Sequence, residues 1–130
     1  MAFDAVVRGM TIRGVGIHGP LLRLHADAEG GHLQPRWGWL GWLLFRDYGW
    51  SWSDVNRIDL LRGPFGGVHG LRIVLTDRPA TTTRAGVLGP WLRTATKFVI
   101  GLDATSTEDL LTVMPQAIPR GNRRGLFVWG

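Results

Sequence analysis

The pattern of this chain predicts a mainly β domain with one α-helix near the C-terminus. Three observations carry that expectation. Short alternating apolar runs recur along the chain, separated by glycines and Gly-Pro steps. The run Trp50–Leu61 opens with a tryptophan and a polar turn, then alternates as a half-buried strand does. The segment from Lys97 reads as a strand, a short turn and a capped helix.

Residues 5–29 contain short alternating pieces punctuated by Gly9, Gly14, Gly16 and Gly19-Pro20. Leu22, Leu24 and Ala26 fall on one face of a strand, and Arg23, His25 and Asp27 on the other. Glu29-Gly30-Gly31 is the expected hairpin turn. Pro35 confines the next piece to an edge or a strand end. Trp37–Phe45 is the most apolar stretch, but nine residues are far short of the roughly twenty that a membrane-spanning helix needs. It reads as a loop entering a buried strand, and Arg46–Gly49 as a turn.

In the central run, Val55, Arg57, Asp59 and Leu61 take one face; Asn56, Ile58 and Leu60 take the other. Trp52 is expected in the core. Leu71, Ile73 and Leu75 mark the inward face of the strand over residues 70–76, and residues 80–96 form the longest loop. Thr105-Ser106-Thr107-Glu108 fits a capping box. Leu110, Leu111, Met114, Ala117 and Ile118 make one apolar helical stripe, which Pro115 ends or kinks. After Pro119 the pattern breaks, and residues 120–130 are expected to leave the packed unit as a basic, aromatic tail.

The length of 130 residues fits one domain, and 45% apolar content suffices for a core. With no cysteine there is no disulfide framework and no thiolate metal site. The N-terminus lacks the basic and apolar regions of a signal peptide. The formal charge is +5, and all but one of the fifteen Lys+Arg residues are arginine, Lys97 being the exception. Codon bias in a GC-rich coding sequence accounts for such a preference. The excess also suits an acidic protein face, an anionic lipid or nucleic acid.

Leu24-His25-Ala26-Asp27-Ala28-Glu29-Gly30, the Trp52-Ser53-Asp54-Val55 opening, and the Phe98–Leu102 strand with a helix near Glu108–Met114 resemble the bacterial pleckstrin-homology-like (PH-like or GRAM-like) domains. The resemblance spans roughly residues 5–118. It implies a barrel of two nearly orthogonal antiparallel sheets capped at one corner by the helix, in one domain over residues 1–119. It also implies a scaffold that serves diverse partners. The chain departs from phosphoinositide-binding members. It offers only Arg8, Arg13 and Arg23 around the first hairpin, and its helix lacks a tryptophan. Both departures argue against specific inositol-lipid recognition.

The candidate binding residues form two groups. Trp37, Trp39 and Trp42 lie beside Arg36 and Arg46, a mixture suited to a protein interface or a membrane surface, or to filling a small core. Arg120, Arg123 and Arg124 precede Phe127 and Trp129 in the tail, which suits an anionic surface or strand addition to a partner. His18, His25, His32 and His69 read as surface or turn residues, and no metal or other cofactor is expected. Ser53 and Ser106 sit at turn and cap positions, no Gly-x-Ser-x-Gly elbow is present, and no catalytic residue is expected. The glycine pairs lack the lysine and hydroxyl of a phosphate loop. The expected function is therefore a non-enzymatic binding module for a protein, its own copies included. Anionic membrane surface is the alternative, and nucleic acid is disfavoured, since no strand face interleaves aromatic and basic residues. The expected location is the cytoplasm, at the inner face of the membrane where lipid is the partner.

Overall fold

The computed structural model describes residues 2–12, 15–18, 22–37, 47–63, 67–76, 82–83 and 95–124. These form two sheets and one helix. The first sheet contains β1 (Phe3–Val6), β4 (Leu22–Ala26), β5 (Gly30–Pro35), β6 (Tyr48–Ser51) and β9 (Thr82–Thr83), in the order β1-β4-β5-β6-β9. The second contains β2 (Gly9–Ile12), β3 (Val15–His18), β7 (Val55–Arg62), β8 (Val68–Leu75), β10 (Lys97–Gly101) and β11 (Arg120–Arg124), in the order β11-β7-β8-β10-β2-β3. The helix, α1, spans Ala104–Val113 and packs against β8 of one sheet and β1 of the other.

Alternation explains the strands. Leu22, Leu24 and Ala26 are buried and Arg23 is exposed, as the period of two requires. Leu71, Ile73 and Leu75 of β8 are likewise buried. The turn between β4 and β5 is built by Asp27, whose Oδ1 accepts from the backbone N–H groups of Glu29 (2.8 Å) and Gly30 (3.1 Å). Those two donors hold the Asp27 carboxyl below its ordinary pKa.

Aromatic rings join the two sheets. Tyr48 and Trp50 from β6 meet Phe98 from β10, with centroids 5.5 and 4.9 Å apart. Burial pushes the pKa of the Tyr48 phenol up. The Trp50 indole lies over Gly31, its cross-strand partner; a Cβ there would come within 2.8 Å of the ring. Trp52 stands in a 3₁₀ turn, Trp52–Asp54, that carries the chain from β6 of the first sheet to β7 of the second. It is buried, its Nε1 donates to the Asp27 carbonyl (2.6 Å), and its backbone N–H donates to the Glu29 carbonyl (3.0 Å). The tryptophan thus ties the first hairpin to the crossover.

Several expectations are corrected. The two sheets share no strand among the described residues, so they do not close into a barrel. Nor is every pairing antiparallel: β11 runs parallel to β7, with Gly121 opposite Asp59. Parallel neighbours need a long crossover, and β8, β10 and α1 supply it. Residues 120–124 therefore join a sheet rather than leaving the packed unit. Tyr48 and Gly49 belong to β6 rather than to a turn. The helix begins earlier than the capping box suggests. Asp103 is the N-cap, its Oδ1 accepting from Ser106 N–H (2.7 Å), an interaction that also lowers its pKa. Aspartate caps better than threonine, and the helix starts as soon as Leu102 is buried behind it. Met114 is the C-cap, extended before Pro115 as a residue preceding proline should be. Leu110, Met114 and Ile118 are buried, while Ala117 is exposed.

Candidate interaction surface

The strand β7 divides its residues as expected from Arg57 onward, with Ile58 inward. A bulge between Val55 and Arg57 lets Val55 face the core as well. On the outer face sits Asp59, the one charged side chain fully buried among the described residues. Arg57 Nη2 lies 2.6 Å from Asp59 Oδ1, and Arg72 Nε lies 4.0 Å from Oδ2. Gly121 of β11 makes this arrangement possible, since a Cβ there would come within 2.6 Å of both Arg57 Nη2 and Asp59 Oδ1. A buried carboxylate is tolerated when it is paired.

The edge beyond β7 is strongly basic. Arg120, Arg123 and Arg124 all lie on β11, and no strand flanks its outer side among the described residues. Arg120 Nη2 donates to the Leu111 carbonyl (3.1 Å), a favourable place for a cation at a helix C-terminus. Arg62 of β7 donates from Nε to Asn122 Oδ1 (2.8 Å) and so pins the strand in register. Five arginines thus belong to the two strands at this edge, spaced along them from Arg57 and Arg120 to Arg62 and Arg124. Phe127 and Trp129 lie outside the described residues.

The other predicted group is only partly described. Arg36 and Trp37 follow β5, and both are exposed, with Trp37 at 44%. Arg36 Cζ stands 5.4 Å from the Trp37 ring centroid, a cation–π geometry. Trp39, Trp42 and Arg46 lie outside the described residues.

A second polar feature escaped the sequence reading. On the outer face of the first sheet, Asp4 pairs across strands with His25, and His25 with His32. Asp4 Oδ2 lies 3.3 Å from His25 Nδ1, and Asp47 Oδ1 lies 3.1 Å from His32 Nδ1. The two imidazole centroids are 5.3 Å apart. His32 and Asp47 also border an open concavity of about 400 Å³ shared with Asp27, Glu29 and Ser51. A signal for this row was present. A hairpin centred between residues 28 and 29 places His25 opposite His32 by symmetry. Asp4 and Asp47 come from distant segments and carry no local signal.

No family model matches the chain. No curated protein matches it either.

Proposed function

We propose that this chain is a non-enzymatic binding module on a PH-like two-sheet scaffold, and that it takes an extended acidic segment of a partner protein along β11. The observation that supports this reading is the arginine-bearing edge strand at the end of the second sheet. An edge strand presents backbone donors and acceptors to an added strand, and pockets or charges beside it set specificity. Here the charges beside it are positive. Two copies meeting edge to edge along β11 would oppose like charges, which disfavours symmetric self-pairing and favours an acidic partner.

The test uses labelled extended peptides of alternating Glu/Thr or Lys/Thr and, separately, vesicles of phosphatidylcholine with or without phosphatidylserine. The acidic peptide should bind, weaken as salt rises, and slow amide exchange over residues 121–124. Charge reversal at Arg123 and Arg124 should abolish binding without unfolding the chain. Equal binding of acidic and basic peptides, or of neither, would show that the arginines only guard the edge. Sedimentation with phosphatidylserine vesicles alone would replace this reading with the membrane one, for which the exposed Arg36–Trp37 pair is the supporting feature.

A further inference from the structure

The histidine row on the outer face of the first sheet carries an assignment of its own. Each imidazole has one nitrogen facing a carboxylate: His25 Nδ1 faces Asp4, and His32 Nδ1 faces Asp47. An ionised carboxylate only accepts hydrogen bonds, so the bond to Asp47 places the proton on His32 Nδ1, while His25 Nδ1 faces Asp4 at ion-pair distance. In the neutral ring the lone pair then resides on Nε2. This is how histidines that ligate metals are oriented: the nitrogen away from the metal donates to a carboxylate, which fixes the tautomer and raises ligand basicity.

The spacing also suits a shared ion. Two imidazoles bound at about 2.0–2.1 Å and a near-tetrahedral angle hold their ring centroids about 5 Å apart. The centroids of His25 and His32 are 5.3 Å apart, with the rings tilted by 32°. The two side chains are 34% and 42% exposed, so an ion reaches them from solvent. Their backbones are held in register by β4 and β5, and Asp4 is held in turn by Arg23. The strand register thus presents the two rings side by side on one sheet face.

We propose that His25 and His32 form a two-point imidazole site for a late first-row divalent cation such as Zn²⁺, Ni²⁺ or Cu²⁺, bound through both Nε2 atoms. Among the described residues no group of three or more His, Cys, Asp or Glu side chains converges on one point. The proposed site therefore uses two protein ligands, His25 and His32, with water in the remaining positions. Such a site exchanges its metal readily and favours nitrogen-seeking ions over Mg²⁺ and Ca²⁺, which prefer oxygen.

The experiment titrates untagged protein with ZnCl₂ at neutral pH and follows imidazole nitrogen resonances and the melting temperature. Zn²⁺ should shift Nε2 of both His25 and His32 together and raise the melting temperature through its preference for the folded state. MgCl₂ should do neither. His25→Gln and His32→Gln should each remove the effect, although each variant melts as one folded species. Asp4→Asn and Asp47→Asn should weaken binding about 10–100-fold without abolishing it, as loss of an outer hydrogen bond does. Unmoved Nε2 resonances, or Zn²⁺ affinity unchanged in the His25→Gln/His32→Gln double variant, would overturn the assignment. So would an affinity equal in both single variants and the parent, because the ion would then not be shared.

Discussion

Trp52 shows what a single residue does here. Its ring is buried and its Nε1 reaches the Asp27 carbonyl, so it couples the first hairpin to the sheet crossover. Trp52→Ala should cost about 3–5 kcal/mol, read as a lower denaturant midpoint. Trp52→Phe keeps much of the apolar volume and loses the hydrogen bond, so it should cost less, about 1–3 kcal/mol. An unchanged midpoint in both variants would reject the placement. The burial of Trp52 was legible because a tryptophan at the start of an alternating strand has few other places to go. The Asp59 environment was not legible. Alternation puts Asp59 on the face opposite Ile58, and only the arrival of Gly121 from sixty residues away explains why that face is covered. Gly121→Val should force Arg57 and Asp59 apart and destabilise by about 1–3 kcal/mol, with Gly121→Ala milder. A Gly121→Val midpoint equal to the parent's would show that the strand sits further from Asp59.

The helix and its cap belong to the scale of elements. Helix α1 lies where the apolar stripe begins, but the stripe extends to Ala117 and Ile118, past the C-cap Met114 that Pro115 enforces, and at the other end two cap signals compete within four residues. The hydroxyls at Thr105 and Ser106 lose to the Asp103 carboxylate. Asp103 and Asp27 both have folded-state pKa values below the ordinary 3.8, because backbone N–H groups donate to the ionised form. A depressed carboxyl pKa contributes stability that is fully present above the unfolded value and lost as pH falls through the folded one. Asp103→Asn still caps the helix but no longer titrates. The parent should therefore be more stable than Asp103→Asn at neutral pH, and the two midpoints should converge as pH falls below about 4. Parallel midpoints across that range would remove the charge from the account of the cap. Strand β11 marks the limit of local reading, since nothing in Arg120–Arg124 alternates in hydrophobicity. Its pairing is fixed by backbone contacts such as Ile58 N–H to the Pro119 carbonyl (2.9 Å) and by Arg62 to Asn122, both from outside the segment.

At the scale of the whole molecule, local pattern gave the β class and the helix, but not how the sheets are wired. The second sheet gathers β2 and β3 from the start of the chain, β7, β8 and β10 from its middle, and β11 from its end. The first sheet interleaves with it along the sequence, and the Trp52 turn between β6 and β7 is one of several places where the chain passes between them. Neither sheet is a contiguous piece of chain, so neither has a route to fold by itself. The faces they share are filled by Tyr48, Trp50 and Phe98, and the rings touch across the interface. Helix α1 packs on a strand from each sheet and adds a second bridge. These features predict one cooperative unfolding transition. With Trp37, Trp39, Trp42, Trp91 and Trp129 replaced by Phe, tryptophan fluorescence reports Trp50 and Trp52 at the first sheet and the crossover, and it should trace the same denaturant curve as far-ultraviolet circular dichroism, which reports both sheets. Phe98→Ala removes the ring that links the layers and should cost about 3–5 kcal/mol. It should shift both curves together, because the loss weakens the shared interface rather than one layer. If fluorescence instead moves at lower denaturant than circular dichroism, in the parent or in Phe98→Ala, the first sheet is opening alone. The aromatic cluster would then be a contact between two independent layers rather than the centre of one core.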